Sequence, residues 1–146
     1  LVFLSDFAVK QLKRLYEESG HTEWCFPSKD GSSHVDVKSV SKRIGDRQVK
    51  FKDRTKKSSQ RRHDNSLAVG DREWTPHDLR RTGATMMQEL GIDLNIIDRC
   101  QNHVLAGSKV RRHYLKYEYK DEKTKAWEKL GDKLQEILKA SSFYAV

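Results

Sequence analysis

His77 and Arg80 stand three residues apart in TPHDLRRTGAT, directly after a Thr-Pro pair that suits a helix start. At that spacing the imidazole and the guanidinium share one side of a helix, with Cβ atoms roughly 5–6 Å apart. Residues in a first turn also sit beside free backbone N–H groups and the positive end of the helix dipole. A phosphate placed there meets backbone donors, a two-pronged guanidinium and an imidazole together. His103 follows in an Asn-His pair, and Tyr114, Tyr117 and Tyr119 in a basic segment. Two imidazoles, a guanidinium and a phenol between residues 75 and 119 are the groups a protein uses on a phosphodiester. Each also has an ordinary reading: a helix-start histidine, a surface ion pair, a helix-end cap, a packed ring with a satisfied hydroxyl. An H-x-x-R pair recurs by chance, so its weight comes from order and context.

Helices must hold these groups. Thr75 is a candidate N-cap and Pro76 fits the first helical position, where a missing N–H costs nothing. Leu79, Gly83, Met86, Met87 and Leu90 then make an apolar stripe closed by Gly91. Asp93 caps LNIIDRCQNH, with Leu94, Ile97 and Cys100 facing inward, so the pair reads as helix-turn-helix-like. After a break at 106–108, Val110, Tyr114 and Tyr117 lie along one line of a basic helix over 109–117. A long amphipathic helix at about 120–140 carries Trp127, Leu130, Leu134, Ile137 and Leu138 on one stripe.

Upstream, residues 1–4 (LVFL) predict a short strand. Ser5 caps a helix with Asp6 in its first turn, Phe7, Ala8, Leu12, Leu15 and Tyr16 at helical spacing, and Gly20 as stop. In the turn-rich HTEWCFPSKDGSS, Trp24 and Phe26 are expected to plug a core. A second helix runs from 35–36 to about Ile44, with Val37, Val40 and Ile44 on one face and Gly45 as terminator. The fold class is therefore mainly α, with a short N-terminal strand and a small hairpin near Val49 and Phe51, in one domain over 1–146.

That hairpin lies in a basic, mobile loop at about 47–72. Lys50, Lys52, Arg54, Lys56, Lys57, Arg61 and Arg62 face few acids and almost no periodic apolar residues there. Any one of these cations reads as solvated. Together, and with Arg81 and Lys109, they read as a phosphate-backbone contact, which is salt-dependent and blind to sequence. The net charge of +8 points the same way, toward a polyanionic partner. No apolar run approaches a membrane span. Two isolated cysteines make neither a disulfide framework nor a zinc site, and the expected setting is reduced and cytoplasmic. The residues imply no metal and no cofactor, since no carboxylate cluster accompanies the histidines.

The ordered set HDLRRTGAT, a Gly-terminated helix, a helix ending in Asn102-His103-Val104, and Tyr114 eleven residues past His103 resembles the catalytic segment of tyrosine recombinases, the phage integrase family. Prophage-type integrases are most similar: YLKYEY at 114–119, then Asp121-Glu122-Lys123 and a helix bearing Trp127, match their tails. VFLS, a helix and FPS match their approach to the motif, so the resemblance covers nearly the whole chain and is weakest across the basic loop. It implies the helical catalytic domain of DNA breaking-rejoining enzymes. His77 takes the first-histidine role, Arg80 the second-arginine role, His103 the third phosphate-binding site, and Tyr114 the role of nucleophile. The implied function is site-specific recombination or integration through a covalent 3′-phosphotyrosine, without metal or ATP. Implied partners are double-stranded DNA and further copies of the chain docking through the tail helix, with no membrane and no small-molecule substrate.

The chemistry is consistent: a phenol of pKa ~10 needs a proton acceptor and a charge-neutralising pocket. Cys100-Gln101-Asn102-His103 departs slightly from the family pattern, with Gln where Leu is usual. The family's first catalytic arginine and its hairpin lysine precede the VFLS-like strand, which puts them ahead of residue 1. Losing one such donor costs ~10²–10³ in rate, so the stretch as given is expected to cleave poorly. Tyr117 and Tyr119 are rivals to Tyr114. Two other functions fit less well: a non-catalytic basic helical DNA-binding module left by a degenerate prophage, and a type IB topoisomerase, which shares the chemistry but not the tail.

Overall fold

The computed structural model describes residues 3–51, 59, 61–103 and 117–143. Among them run five α-helices: α1 (Asp6–Ser19), α2 (Val37–Asp46), α3 (Pro76–Glu89), α4 (Leu94–Cys100) and α5 (Lys120–Phe143), with a 3₁₀ turn at Val49–Phe51. The protein is mainly helical, as its periodicities require. No described helix is long and apolar enough to cross a membrane. The chain packs as two units, one drawn from Leu1–Arg14 and Arg81–Val146, the other from Leu15–Arg80.

The first unit has the apolar core. Met87 of α3, Ile97 of α4 and Leu130 of α5 are buried together, with Ala84, Met86, Ile92, Cys100, Trp127 and Leu134 packed around them. Removing such side chains from water contributes roughly 1.5–3 kcal/mol each. The helix ends are set by side chains that the sequence placed correctly. Ser5 Oγ accepts the Ala8 N–H at 3.4 Å, and Asp93 accepts the Asn95 N–H at 2.8 Å. Gly91 closes α3 at φ 73°, where its own N–H and that of Ile92 bond back to Gln88 and Met87. A left-handed residue there suits glycine, which has no Cβ to clash. Gly131 serves a different need: a Cβ would come within 2.6 Å of Ser5 Oγ, so only glycine lets the start of α1 lie against α5.

Three expected core positions of this part of the chain are exposed instead: Leu94 (60%), Ile137 (45%) and Leu138 (54%). Seven residues give α4 a single inward turn, which Ile97 and Cys100 fill. On α5 the residues packed on the core end at Leu134, and nothing among the described residues covers the next turn. Phe3 and Leu4 carry no strand pairing, because no described strand offers them a ladder; Leu1 and Val2 lie outside the described residues.

The second unit is held by polar groups. Asp36 caps α2 by accepting the Lys38 N–H at 2.7 Å. The helix runs through Gly45, which is buried inside it rather than ending it, and stops at Asp46. Arg47 then bonds back to Ile44 at 3.1 Å. Around 47–72 the described residues are ordered by backbone bonds: Asp64 N–H to Asp46, Val49 N–H to Asp64, Leu67 N–H to Arg47. The 3₁₀ turn at Val49–Phe51 replaces the hairpin expected there, while residues 52–58 and 60 of the expected basic loop lie outside the described residues. Among the described residues, a bridge between extended segments joins Pro27 and His34. There Trp24 is half-buried, edge-on to the His34 ring at 5.3 Å, while Phe26 is 62% exposed and plugs nothing.

Candidate active site

The start of α3 is built by a short polar device. Thr75 donates through both its backbone N–H and its Oγ1 to Asp78 Oδ2, each at 2.9 Å, and the Asp78 N–H returns to the Thr75 carbonyl at 2.9 Å. A first-turn carboxylate reaching back to the residue ahead of the helix is a capping box, and it also complements the helix dipole. Pro76 at the first helical position has no N–H to satisfy. His77 and Arg80 therefore leave a firmly started helix, both exposed to solvent. Leu79, between them, is exposed at 61% rather than in the expected stripe. At ~100° per residue it lies about 80° round α3 from Met87, off the buried line.

His103 is placed by the end of α4. Asn102 is left-handed at φ 54°, its N–H bonds to Arg99 and the His103 N–H to Asp98 at 2.8 Å. This is the glycine-type helix stop executed by asparagine, the residue that best tolerates that conformation after glycine. The His103 ring then turns back, Nδ1 lying 3.0 Å from Asp98 Oδ1. An ionised carboxylate only accepts, so Nδ1 carries the proton and Nε2 is left to address a ligand. Both side chains of the pair are 48% exposed. His77 and Arg80 lie in the second unit and His103 in the first. Tyr114 lies outside the described residues.

The rival tyrosines are both occupied. Tyr117 donates its hydroxyl to the Glu122 carboxylate at 3.1 and 3.3 Å, and that bond and charge raise its pKa above the usual phenol range. Tyr119 sits at φ 51° just ahead of α5, with the Arg99 guanidinium 3.9 Å above its ring and Tyr117 edge-on at 4.6 Å. A phenol tied to a carboxylate is harder to ionise, and the same carboxylate repels a phosphodiester.

Of the proposed phosphate contacts, four fall on described residues. Lys50 Nζ donates to the Gly70 carbonyl at 3.2 Å and lies 4.6 Å over the Phe51 ring. Arg61 pairs with the buried Asp46 at 3.3 Å, and Arg62 pairs with Asp64, whose pKa is lowered to about 2, first by its hydrogen bonds to Ser66 and then by Arg62. Arg81 is exposed on α3. Lys50, Arg61 and Arg62 thus have partners inside the protein. Lys52, Arg54, Lys56, Lys57 and Lys109 lie outside the described residues. Among the described residues no group of three or more His, Cys, Asp or Glu is set to hold a metal ion.

The sequence reading passed over Asp46, Trp74 and Asp78. Asp78 had a signal, an acid three residues after Thr75. Asp46 had none, since an acid in a charged stretch looks solvated. Comparison with curated proteins and with solved structures returned no match. The family model described as "Phage integrase family" matches residues 1–120. A match over most of its length, on the segment that carries His77, Arg80 and His103, means that this chain belongs to the phage integrase family.

Proposed function

We propose that, within the site-specific DNA recombination that membership of this family means, Tyr114 is the nucleophile and His77, Arg80 and His103 hold the scissile phosphate. Tyr114 Oη attacks phosphorus, the 5′-oxygen leaves with a proton, and a 3′-phosphotyrosine links protein to DNA. Rejoining is the reverse attack by a 5′-hydroxyl, so the bond energy is kept and no ATP is consumed. The arginine and histidines stabilise the charge on the pentacovalent phosphorus through donors already in place. The observation that carries this reading is the exposed His77–Arg80 pair on the capped first turns of α3. The engagement of Tyr117 by Glu122 supports Tyr114 over its neighbour. Exposed Ile137 and Leu138, late on α5, support docking of the tail on another copy of the chain.

The test uses the full-length protein and a nicked duplex, which traps the covalent intermediate. Tyr114→Phe abolishes the adduct, while Tyr117→Phe keeps it. Arg80→Ala slows adduct formation by about 10²–10³. An adduct that survives Tyr114→Phe and is lost with Tyr117→Phe overturns the assignment of the nucleophile. Tight DNA binding with no adduct under any condition leaves instead a basic helical binding module.

A further inference from the structure

Gln48 and Asp46 are the most buried polar side chains of the second unit, at 0% and 1% exposure. Gln48 uses its carboxamide in both senses on one residue. Nε2 donates to the Trp74 carbonyl at 2.8 Å, and Oε1 accepts the Trp74 N–H at 3.0 Å. A side-chain amide that donates to and accepts from the same residue does for that residue what a neighbouring strand would do. Trp74 is also fixed through its indole, whose Nε1–H donates to the Leu67 carbonyl at 2.7 Å. The next residue, Thr75, enters the Asp78 cap, and α3 begins.

Burying an amide this completely is unfavourable unless its hydrogen bonds are made, and an apolar side chain of equal volume would fill the space without that cost. What the amide adds is direction. It fixes the backbone three residues ahead of His77 and six ahead of Arg80.

We propose that Gln48 is a positioning residue for the reaction, setting through Trp74 the angle at which α3 presents His77 and Arg80 to the phosphate. The proposal rests on the reading of those two side chains as phosphate ligands. Gln48 touches no reacting atom itself.

The experiment compares Gln48→Met and Gln48→Glu in the full-length protein with the unaltered protein. The probe is a nicked duplex selected from a randomised pool by covalent capture on the unaltered protein. Gln48→Met removes both hydrogen bonds at nearly constant volume. It should speed amide exchange at Trp74 and Asp78, whose N–H groups bond to Gln48 and Thr75, by about 10-fold, with Met87 and Ile97 unchanged. The rate of adduct formation at saturating DNA should fall about 10- to 100-fold, with DNA affinity within about twofold. Gln48→Glu keeps the acceptor and loses the donor while ionised. Its deficit, taken as a ratio to the unaltered protein at each pH, should shrink as pH falls and the protonated acid donates to Trp74 again.

Unchanged exchange at Trp74 in Gln48→Met overturns the proposal, as does an unchanged adduct rate. So does a loss of rate that comes with faster exchange at Met87 and Ile97, which marks general loosening. If the unaltered protein captures no duplex at all, the phosphotyrosine reading fails. Exchange at Trp74 and Asp78 then decides by itself whether Gln48 sets the start of α3.

Discussion

The two units of this protein are held by opposite means. In the first, Met87, Ile97 and Leu130 meet without a single polar atom among their side chains. In the second, the most deeply buried side chains are Asp46, which faces the Arg61 guanidinium at 3.3 Å, and Gln48, which is hydrogen-bonded to Trp74. Apolar contacts are non-directional and tolerate small shifts, whereas hydrogen bonds fix distance and angle. The start of the helix that carries His77 and Arg80 lies in the polar unit. Position is bought there with buried amides and carboxylates, and stability in the other unit comes from area removed from water.

The largest expected effect breaks the apolar side. Met87→Ala should cost about 2–5 kcal/mol in urea unfolding, through lost transfer energy and a residual cavity. A loss below about 1 kcal/mol would mean that the cluster is not the core. On the polar side, Asp46→Ala should cost about 1–3 kcal/mol, because the Arg61 guanidinium loses the buried carboxylate it faces at 3.3 Å. Asp46→Asn should cost less, since it keeps the size and polarity of the buried side chain and loses only its charge; equal losses would count against that account.

Smaller effects sharpen the contrast at α3. Asp78→Ala should cost about 1 kcal/mol by freeing the Thr75 N–H and hydroxyl, measured by thermal unfolding. Leu79→Ala should stay within about 0.5 kcal/mol, as expected of an exposed site. A larger loss would show that Leu79 is covered in solution.

The smallest effect is one of titration. Glu122 holds Tyr117 protonated, so the folded phenol ionises above its usual range. The associated stability is present below the normal phenol pKa and is lost as pH rises through the raised one. Glu122→Gln should let Tyr117 ionise at lower pH, read by tyrosinate absorbance. No movement of that titration would show that the bond to Glu122 is absent in solution.

Much of the helical plan was legible in the residues. Ser5, Asp93, Pro76 and Gly91 mark helix ends because caps and left-handed stops are local chemistry, complete within four or five residues. The family motif was legible for the same reason: His77, Arg80 and His103 are set by helix ends whose signals lie beside them. Leu79 and Leu94 were misjudged because periodicity says which residues share a face, not which face finds a partner. Gly45 failed as a stop because a glycine ends a helix only where the following chain turns away, and here Asp46 continues it.

By itself the sequence determined where the helices start and the family to which the chain belongs. Only the tertiary structure decided that a polar stretch around residue 47 would be buried. Lys50 and Arg61 read as free charges until a loop carbonyl 20 residues on and a carboxylate 15 residues back are brought to them. Gln48 reaches Trp74 across 26 positions, and no window short enough to show periodicity contains both. The reason is physical. A cap is made between neighbours in the chain, but satisfying a buried amide needs a partner that only folding supplies.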